Sequence, residues 1–294
     1  MPSSVKHHYI PRFYLAGFTD ENNTFFIYDK KTEKIWKSTP ENSFFENHRN
    51  TGEMQNQKTK EIFKSDEPEK ALSMLDGRVA PVIAALNKSN PEENALTPER
   101  LYLLRRFIFS IFWRSPVNDK VRNEIIAKAT FKELGFGFFD REGNRVEEVE
   151  EISKKIDLFQ KMYPILLSIS PFIERNLKQN DSDWRIYYRT EKSHLITDNP
   201  IIYDGYKNFN SLHEELLLPL SSKILLVSTK KYKPHILSPL FSLNVDLLLL
   251  HNAGRFVASA NKGYLEFLTN EERTKLNRPG WADKLHEWIF NCFY

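Results

Sequence analysis

The sequence predicts an α+β fold in which central helices pack on a mainly antiparallel sheet. Three observations carry this. A capped and almost wholly apolar helical stretch runs from Thr97 to about Trp113. Residues 183–189 alternate, with Trp184, Ile186 and Tyr188 on one side and Arg185, Tyr187 and Arg189 on the other. A polar stretch at 178–182 separates helical periodicity before it from strand patterning after it. The expected organisation is a single integrated domain over residues 1–294, with a helical subregion at 68–175 and a strand-rich subregion at 183–260.

In chain order, Pro11 suits the first turn of a short helix, because its missing N–H is not needed there, and Gly17 suits its end. Thr24–Tyr28 and Lys34–Lys37 read as a hairpin with Asp29–Glu33 as its loop, expected at the edge of the sheet. Phe44 and Phe45 anchor an otherwise polar stretch, and Asn47–Lys60 reads as a mobile loop. From Glu67 apolar residues recur at three and four, with a kink or break expected near Gly77 and Pro81. Thr97-Pro98-Glu99 combines a hydroxyl cap, a first-turn proline and a first-turn acid. Val117–Leu134 continues as a helix after Pro116, and Val146–Leu167 as another that Pro164 or Pro171 bends or ends. Trp184–Tyr188 is expected to turn at Thr190–Lys192 and pair back with His194–Thr197. Glu215–Leu218 and Lys223–Ser228 form a strand pair around Pro219. Phe241–Asn252 suits a helix, Arg255–Ser259 a strand or helix continuation, and the chain closes with helices near Glu271 and over Asp283–Phe290.

Composition narrows the function classes. Lys plus Arg number 42 against 39 Asp plus Glu, a net charge of +3, so there is no dedicated nucleic-acid coat, though a local basic patch is compatible. The single cysteine, Cys292, excludes an intramolecular disulfide and a cysteine zinc site. Nothing after Met1 resembles a signal peptide, and the longest greasy runs, Phe107–Trp113 and Leu247–Leu250, fall short of a membrane span. The expectation is a cytoplasmic protein with no membrane partner. The phosphate loop, the dinucleotide-binding glycines, the nucleophile elbow and the His-Glu-x-x-His pair are all missing.

Several motifs then stand out together. The opening Lys6-His7-His8-Tyr9-Ile10-Pro11-Arg12-Phe13-Tyr14-Leu15, with Phe18 after it, resembles the start of a bacterial family known as domain of unknown function 4238. Arg114-Ser115-Pro116, Ile196-Thr197-Asp198-Asn199-Pro200, Leu218-Pro219-Leu220-Ser221 and Arg255-Phe256-Val257 are similar to later motifs of that family, in the same order. The likeness spans about residues 6 to 260 and implies the domain without implying a chemistry.

The chain reads as organised around Ser193–Pro200, where a short apolar run ends in a carboxylate, an amide and a proline. Asp198 and Asn199 either close an Asx turn or hold a carboxylate at a pocket mouth. In the second case Asp198 is a metal ligand, with Mg or Mn as the ion and Glu67, Glu69, Asp76 or Glu99 as further acids. His7 and His8 are candidate general bases or structural hydrogen-bonding groups. Arg114, at the end of an apolar helix, needs a carboxylate, and Asp198 is the expected partner; freed from it, Arg114 would clamp a phosphate. Arg12, Arg105, Arg106 and Arg255 would extend a basic strip, with Arg12, Arg114, Asn199 and Arg255 as substrate-binding residues.

Two functions follow. One is a metal-assisted phosphodiester or nucleotide hydrolase, acting as a toxin or defence effector through His7, His8 and Asp198. The other is a non-catalytic module binding a nucleotide, a nucleic acid or a protein. Tyr9, Tyr14, Trp36 and Tyr187 are its expected stacking residues, and an exposed aromatic–basic groove is its expected signature. A broad apolar surface around the terminal helix of Trp281 and Trp288 would instead indicate a protein partner.

Overall fold

The computed structural model describes residues 5–56, 58–88, 96–169, 181–189, 195–203, 215–230, 238–276 and 278–292. Helices and antiparallel sheets make up the chain, so the fold is α+β. It divides into two compact units, each assembled from separated stretches. The first comprises residues 1–9, 45–79 and 103–176, and the second 10–44, 80–102 and 177–294. The chain passes between these units at several points along its length. Composition shifts locate a boundary only where the chain leaves a unit for good, and here it leaves and returns.

In the first unit, β1 (Lys6–His8) pairs antiparallel with β4 (Phe45–Asn47), and β5 (Gly52–Gln55) with β6 (Ile62–Ser65). The stretch expected to be a mobile loop therefore contains strands. They are short and exposed on most positions, so they lack the alternation that marks a half-buried strand. Helix α2 (Glu67–Lys88) runs through Gly77 and Pro81 without the expected break. Helix α3 (Pro98–Arg114) begins as its capping residues predict, with the Thr97 hydroxyl accepting the Arg100 N–H at 3.3 Å. Residues Phe107 to Arg114 of α3 are all buried, in keeping with an apolar surface on every side.

After α3 come α4 (Asp119–Lys128), α5 (Glu147–Ser153) and α6 (Asp157–Ile169). The break in the expected 146–167 helix falls at 154–156, not at Pro164, which lies inside α6. There the Lys155 and Ile156 N–H groups bond to the Ile152 and Ser153 carbonyls, a tightening of the last turn that ends α5. Pro171 and the expected 178–182 linker fall wholly or partly outside the described residues.

The second unit opens with a one-turn α1 (Arg12–Leu15) behind Pro11. Two four-stranded antiparallel sheets follow. One has the order β3 (Lys34–Ser38), β2 (Phe25–Asp29), β12 (Phe256–Ser259), β8 (Ile196–Thr197). The other runs β7 (Trp184–Tyr188), β11 (Ile224–Ser228), β10 (Leu216–Ser221), β9 (Ile202–Tyr203). The β2–β3 hairpin forms where expected, with Phe25 opposite Ser38 and Asp29 opposite Lys34. It is not an edge of the 183–229 sheet, however, because β2 pairs with β12. Nor does β7 fold back on β8. β7 pairs along its length with β11, while β8 joins β12 in the other sheet. The Thr190–Lys192 turn and His194 lie outside the described residues.

Helix α7 (Pro239–Asn252) explains how one unit carries both sheets. Phe241, Val245, Leu248 and Leu249, spaced four, three and one, pack with Leu217, Leu225 and Val227 of one sheet. Leu247 and Leu250 pack with Tyr28 and Val257 of the other, together with Leu265 and Leu268. A helix buried on both sides must be apolar nearly all round, as this one is. Helix α8 (Lys262–Leu276) starts well before the expected helix near Glu271, since the Asn261 side chain accepts the Tyr264 N–H at 3.0 Å. Helix α9 (Trp281–Asn291) closes the chain behind Gly280, whose φ of +70° favours a residue with no Cβ. No described helix is long and apolar enough to cross a membrane.

Candidate functional site

The Asp198 motif sits at the end of β8 in the second unit. Asp198 is 4% exposed and its carboxylate is enclosed by backbone donors. One oxygen accepts the Gly254 N–H at 2.8 Å, and the other accepts those of Arg255 at 2.7 Å and Phe256 at 3.0 Å. In return the Asp198 N–H donates to the Phe256 carbonyl. Burial pushes the Asp198 carboxyl above its usual range, and the three backbone donors and Lys30 oppose that rise. The Asn199 side chain donates to the Asn252 carbonyl at 3.1 Å, which ties the same turn to the end of α7. The motif therefore fastens the α7–β12 connection to the end of β8.

Arg255 points to another partner. Its guanidinium grips Asp29 through two hydrogen bonds of 3.1 and 2.9 Å, and it lies over the Phe256 ring at 4.6 Å. Hydrogen bonding to Arg255 is the chief cause that holds the Asp29 carboxyl below its ordinary value, against its burial. Arg12 is exposed and meets Glu41 at 3.5 Å.

His7, His8 and Arg114 belong to the first unit. His7 is fully buried, and its Nδ1 accepts the Asn50 N–H at 3.0 Å. That bond places the proton of a neutral ring on Nε2. The Asn50 amide donates to Glu69 at 2.7 Å, so His7 and Asn50 join β1 to α2. His8 stacks obliquely on Phe45 at 5.5 Å, and its carbonyl accepts from Arg114 at 2.7 Å. Arg114 is paired with Asp76 through contacts of 2.9 and 3.3 Å, and not with Asp198 as expected. The reason is local. Asp76 lies on α2 within the same unit, whereas Asp198 has its oxygens filled by its own sheet's N–H groups. Arg106 likewise spends a guanidinium N–H on the Ser168 carbonyl at 3.1 Å. Arg12, Arg106, Arg114 and Arg255 thus each have their own nearby acceptor.

A divalent ion fits this donor set poorly. Both oxygens of Asp198 already accept hydrogen bonds, and the acids proposed to join it have other partners: Glu67 has Lys70, Glu69 has Asn50, Asp76 has Arg114 and Glu99 has Thr97. Among the described residues no group of three or more His, Cys, Asp or Glu side chains is arranged to hold a metal. The expected stacking residues are also core: Tyr9, Tyr14 and Tyr187 are 4%, 0% and 5% exposed. Tyr14 donates to the Pro219 carbonyl, and only Trp36 of the four is exposed.

A different place in the second unit carries free recognition groups. A groove of about 370 Å³ is lined by Lys275, Arg278, Pro279, Trp281, Lys284, Leu285 and Trp288. Trp281, Lys284, Leu285 and Trp288 recur at three, four and seven, which puts them on one face of α9. The tryptophans are braced from behind. Trp281 meets the His251 ring edge-on at 4.9 Å, and Trp288 lies near Phe241 at 6.3 Å. Lys275 is neutralised by Glu271 at 2.7 Å, while Arg278 and Lys284 are exposed and have no ion-pair partner among the described residues. Among the described residues no acid lines the groove. The signal for it was present in the Trp–Lys–Leu–Trp spacing, which the sequence presents as the face of a closing helix and as an apolar surface for a protein partner.

No curated protein and no solved structure matches the chain. One family model does, over residues 6–263, a stretch that includes the N-terminal, Arg114, Asp198 and Arg255 motifs and stops before the α9 groove. The chain belongs to the family described as protein of unknown function (DUF4238).

Proposed function

We propose that this chain is a non-catalytic nucleic-acid-binding module whose ligand is a single-stranded polynucleotide held in the α9 groove. The observation that carries this reading is the pair of braced tryptophans flanked by the uncompensated cations Arg278 and Lys284, with no acid in the lining among the described residues. Every base has a π face, so an aromatic platform beside positive charge selects a polyanion of planar rings without reading its sequence. The two tryptophans stand seven positions apart on α9, roughly 10 Å along the axis, far enough for each to take a different base. The net charge of only +3 agrees with a local grip and not with a general coat.

Metal-assisted hydrolysis by His7, His8 and Asp198 draws less support. The Asp198 oxygens and the His7 Nδ1 that such chemistry would use already accept backbone N–H groups.

The test is fluorescence anisotropy with a labelled eight-nucleotide oligothymidylate at low salt. Trp281→Ala and Trp288→Ala are each expected to weaken binding about 5- to 100-fold, the range set by loss of one stacking platform. Replacing both Arg278 and Lys284 by Gln should lower the salt slope by about 1.4, or 0.7 for each lost phosphate contact. No binding, or binding that ignores all four substitutions, overturns the proposal. Binding of a poly-glutamate peptide in preference to the oligonucleotide would do so as well, and would make the groove a site for an acidic protein partner.

A further inference from the structure

A second cavity lies in the first unit and is independent of the α9 groove. It has a volume of about 350 Å³, at the lower end of the roughly 300–1,000 Å³ that small-molecule sites occupy. Its lining is His48, Thr51, Glu53, Lys64, Asp157 and Lys161. Formal charges nearly cancel, but their compensation is uneven. Glu53 is answered by Lys64 at 3.1 Å, and Asp157 accepts the Glu53 N–H at 2.8 Å at the start of α6. The Thr51 hydroxyl is turned to Asp66 at 2.6 Å. Lys161 has no carboxylate within ion-pairing distance among the described residues, Asp157 one turn earlier included.

His48 is the other group left over. It is exposed, and its φ of +54° is a conformation that non-glycine residues seldom adopt. A turn closed by the Thr51 N–H on the His48 carbonyl holds it there. Its ring meets the edge of buried His7 at 6.2 Å, while no hydrogen bond engages its ring nitrogens among the described residues. The acids of the cavity are therefore answered, and a lysine and an imidazole are not.

We infer that this cavity binds a small phosphate monoester, with its anionic group between Lys161 and His48. The Lys161 ammonium supplies charge and the His48 ring supplies a directional N–H. Thr51, Glu53 and Asp157 are left for hydroxyl groups on the rest of the molecule. The bland alternative is that Lys161 is a solvated residue on a helix surface and His48 a turn residue. That alternative predicts no ligand dependence on either.

Isothermal titration of the full chain with ribose 5-phosphate, alongside ribose and inorganic phosphate, separates the two readings. Ribose 5-phosphate should bind and ribose should not, with Lys161→Ala and His48→Ala each weakening binding about tenfold or more, as for loss of a charge-assisted contact. Lys161→Ala places the best helix former in α6, so the fold should tolerate it. Lys31→Gln, an exposed position on the other unit and outside both sites, should leave this binding unchanged. The inference fails if ribose 5-phosphate shows no binding at about 10 mM. It fails equally if Lys161→Ala and His48→Ala bind as wild type does, or if Lys31→Gln weakens binding as much as they do.

Discussion

Replacing Asp198 by alanine separates a structural clasp from a catalytic carboxylate. The substitution removes an acceptor that holds three backbone N–H groups at 2.7, 2.8 and 3.0 Å in a site only 4% exposed. Hydrogen bonds to a charged acceptor contribute about 1.5–3 kcal/mol each, which sets a ceiling of roughly 4.5–9 kcal/mol. The carboxylate's own desolvation, the cause of its raised carboxyl, offsets part of that, and water entering the vacated space offsets more. A loss of about 3 kcal/mol remains, within a range of about 2–5 kcal/mol. Asp198→Asn should not restore it, since an amide presents one acceptor oxygen and turns N–H groups toward N–H donors. Urea unfolding followed by far-UV circular dichroism reads both variants. A loss below about 0.5 kcal/mol, the scale of a neutral surface change, would refute the clasp and return Asp198 to the list of groups kept for chemistry.

Two further outcomes follow from the same geometry. Arg114→Met should destabilise the protein by about 3–5 kcal/mol, because it leaves Asp76 facing a largely buried site without its cation. A double-mutant cycle with Asp76→Asn should give a coupling above about 1 kcal/mol, and strict additivity would contradict the pair. Asp29→Asn tests the Arg255 grip through pH. Because the Asp29 carboxyl is held low in the folded state, its stabilisation is complete above the ordinary carboxylate range and is lost as pH falls through the folded value. Wild type should exceed the variant by about 1 kcal/mol near neutrality, discounted because the Arg255 side chain is half exposed. The gap should close as pH drops below about 4, and a gap that stays constant through acid contradicts the linkage.

Local signals in the sequence were read well and long-range ones were not. The β2–β3 hairpin, the Thr97 cap and helix α7 each follow from a few neighbouring residues, and each forms. The partner of β8 could not be read, because a two-residue strand has no pattern of its own and pairs with Val257 and Ala258 far along the chain. The same limit applies to the site. Asp198, Arg114 and His7 were singled out as residues that need partners, and they have them in Gly254 to Phe256, Asp76 and Asn50. Which partner each would take depends on how the chain divides between two units, and no composition shift records that. The α9 groove was legible in period but not in meaning. Trp281 and Trp288 look like core until Lys284 and Arg278 are seen beside them, exposed and unanswered.

The most direct measurement of the central claim is photocrosslinking of an oligothymidylate carrying 5-iodouridine, with the attachment sites mapped by mass spectrometry. The groove account predicts attachment at Trp281 or Trp288, lost in the Trp281→Ala and Trp288→Ala variants at unchanged fold. Attachment confined to residues outside Lys275–Trp288, with no yield at either tryptophan, would contradict it.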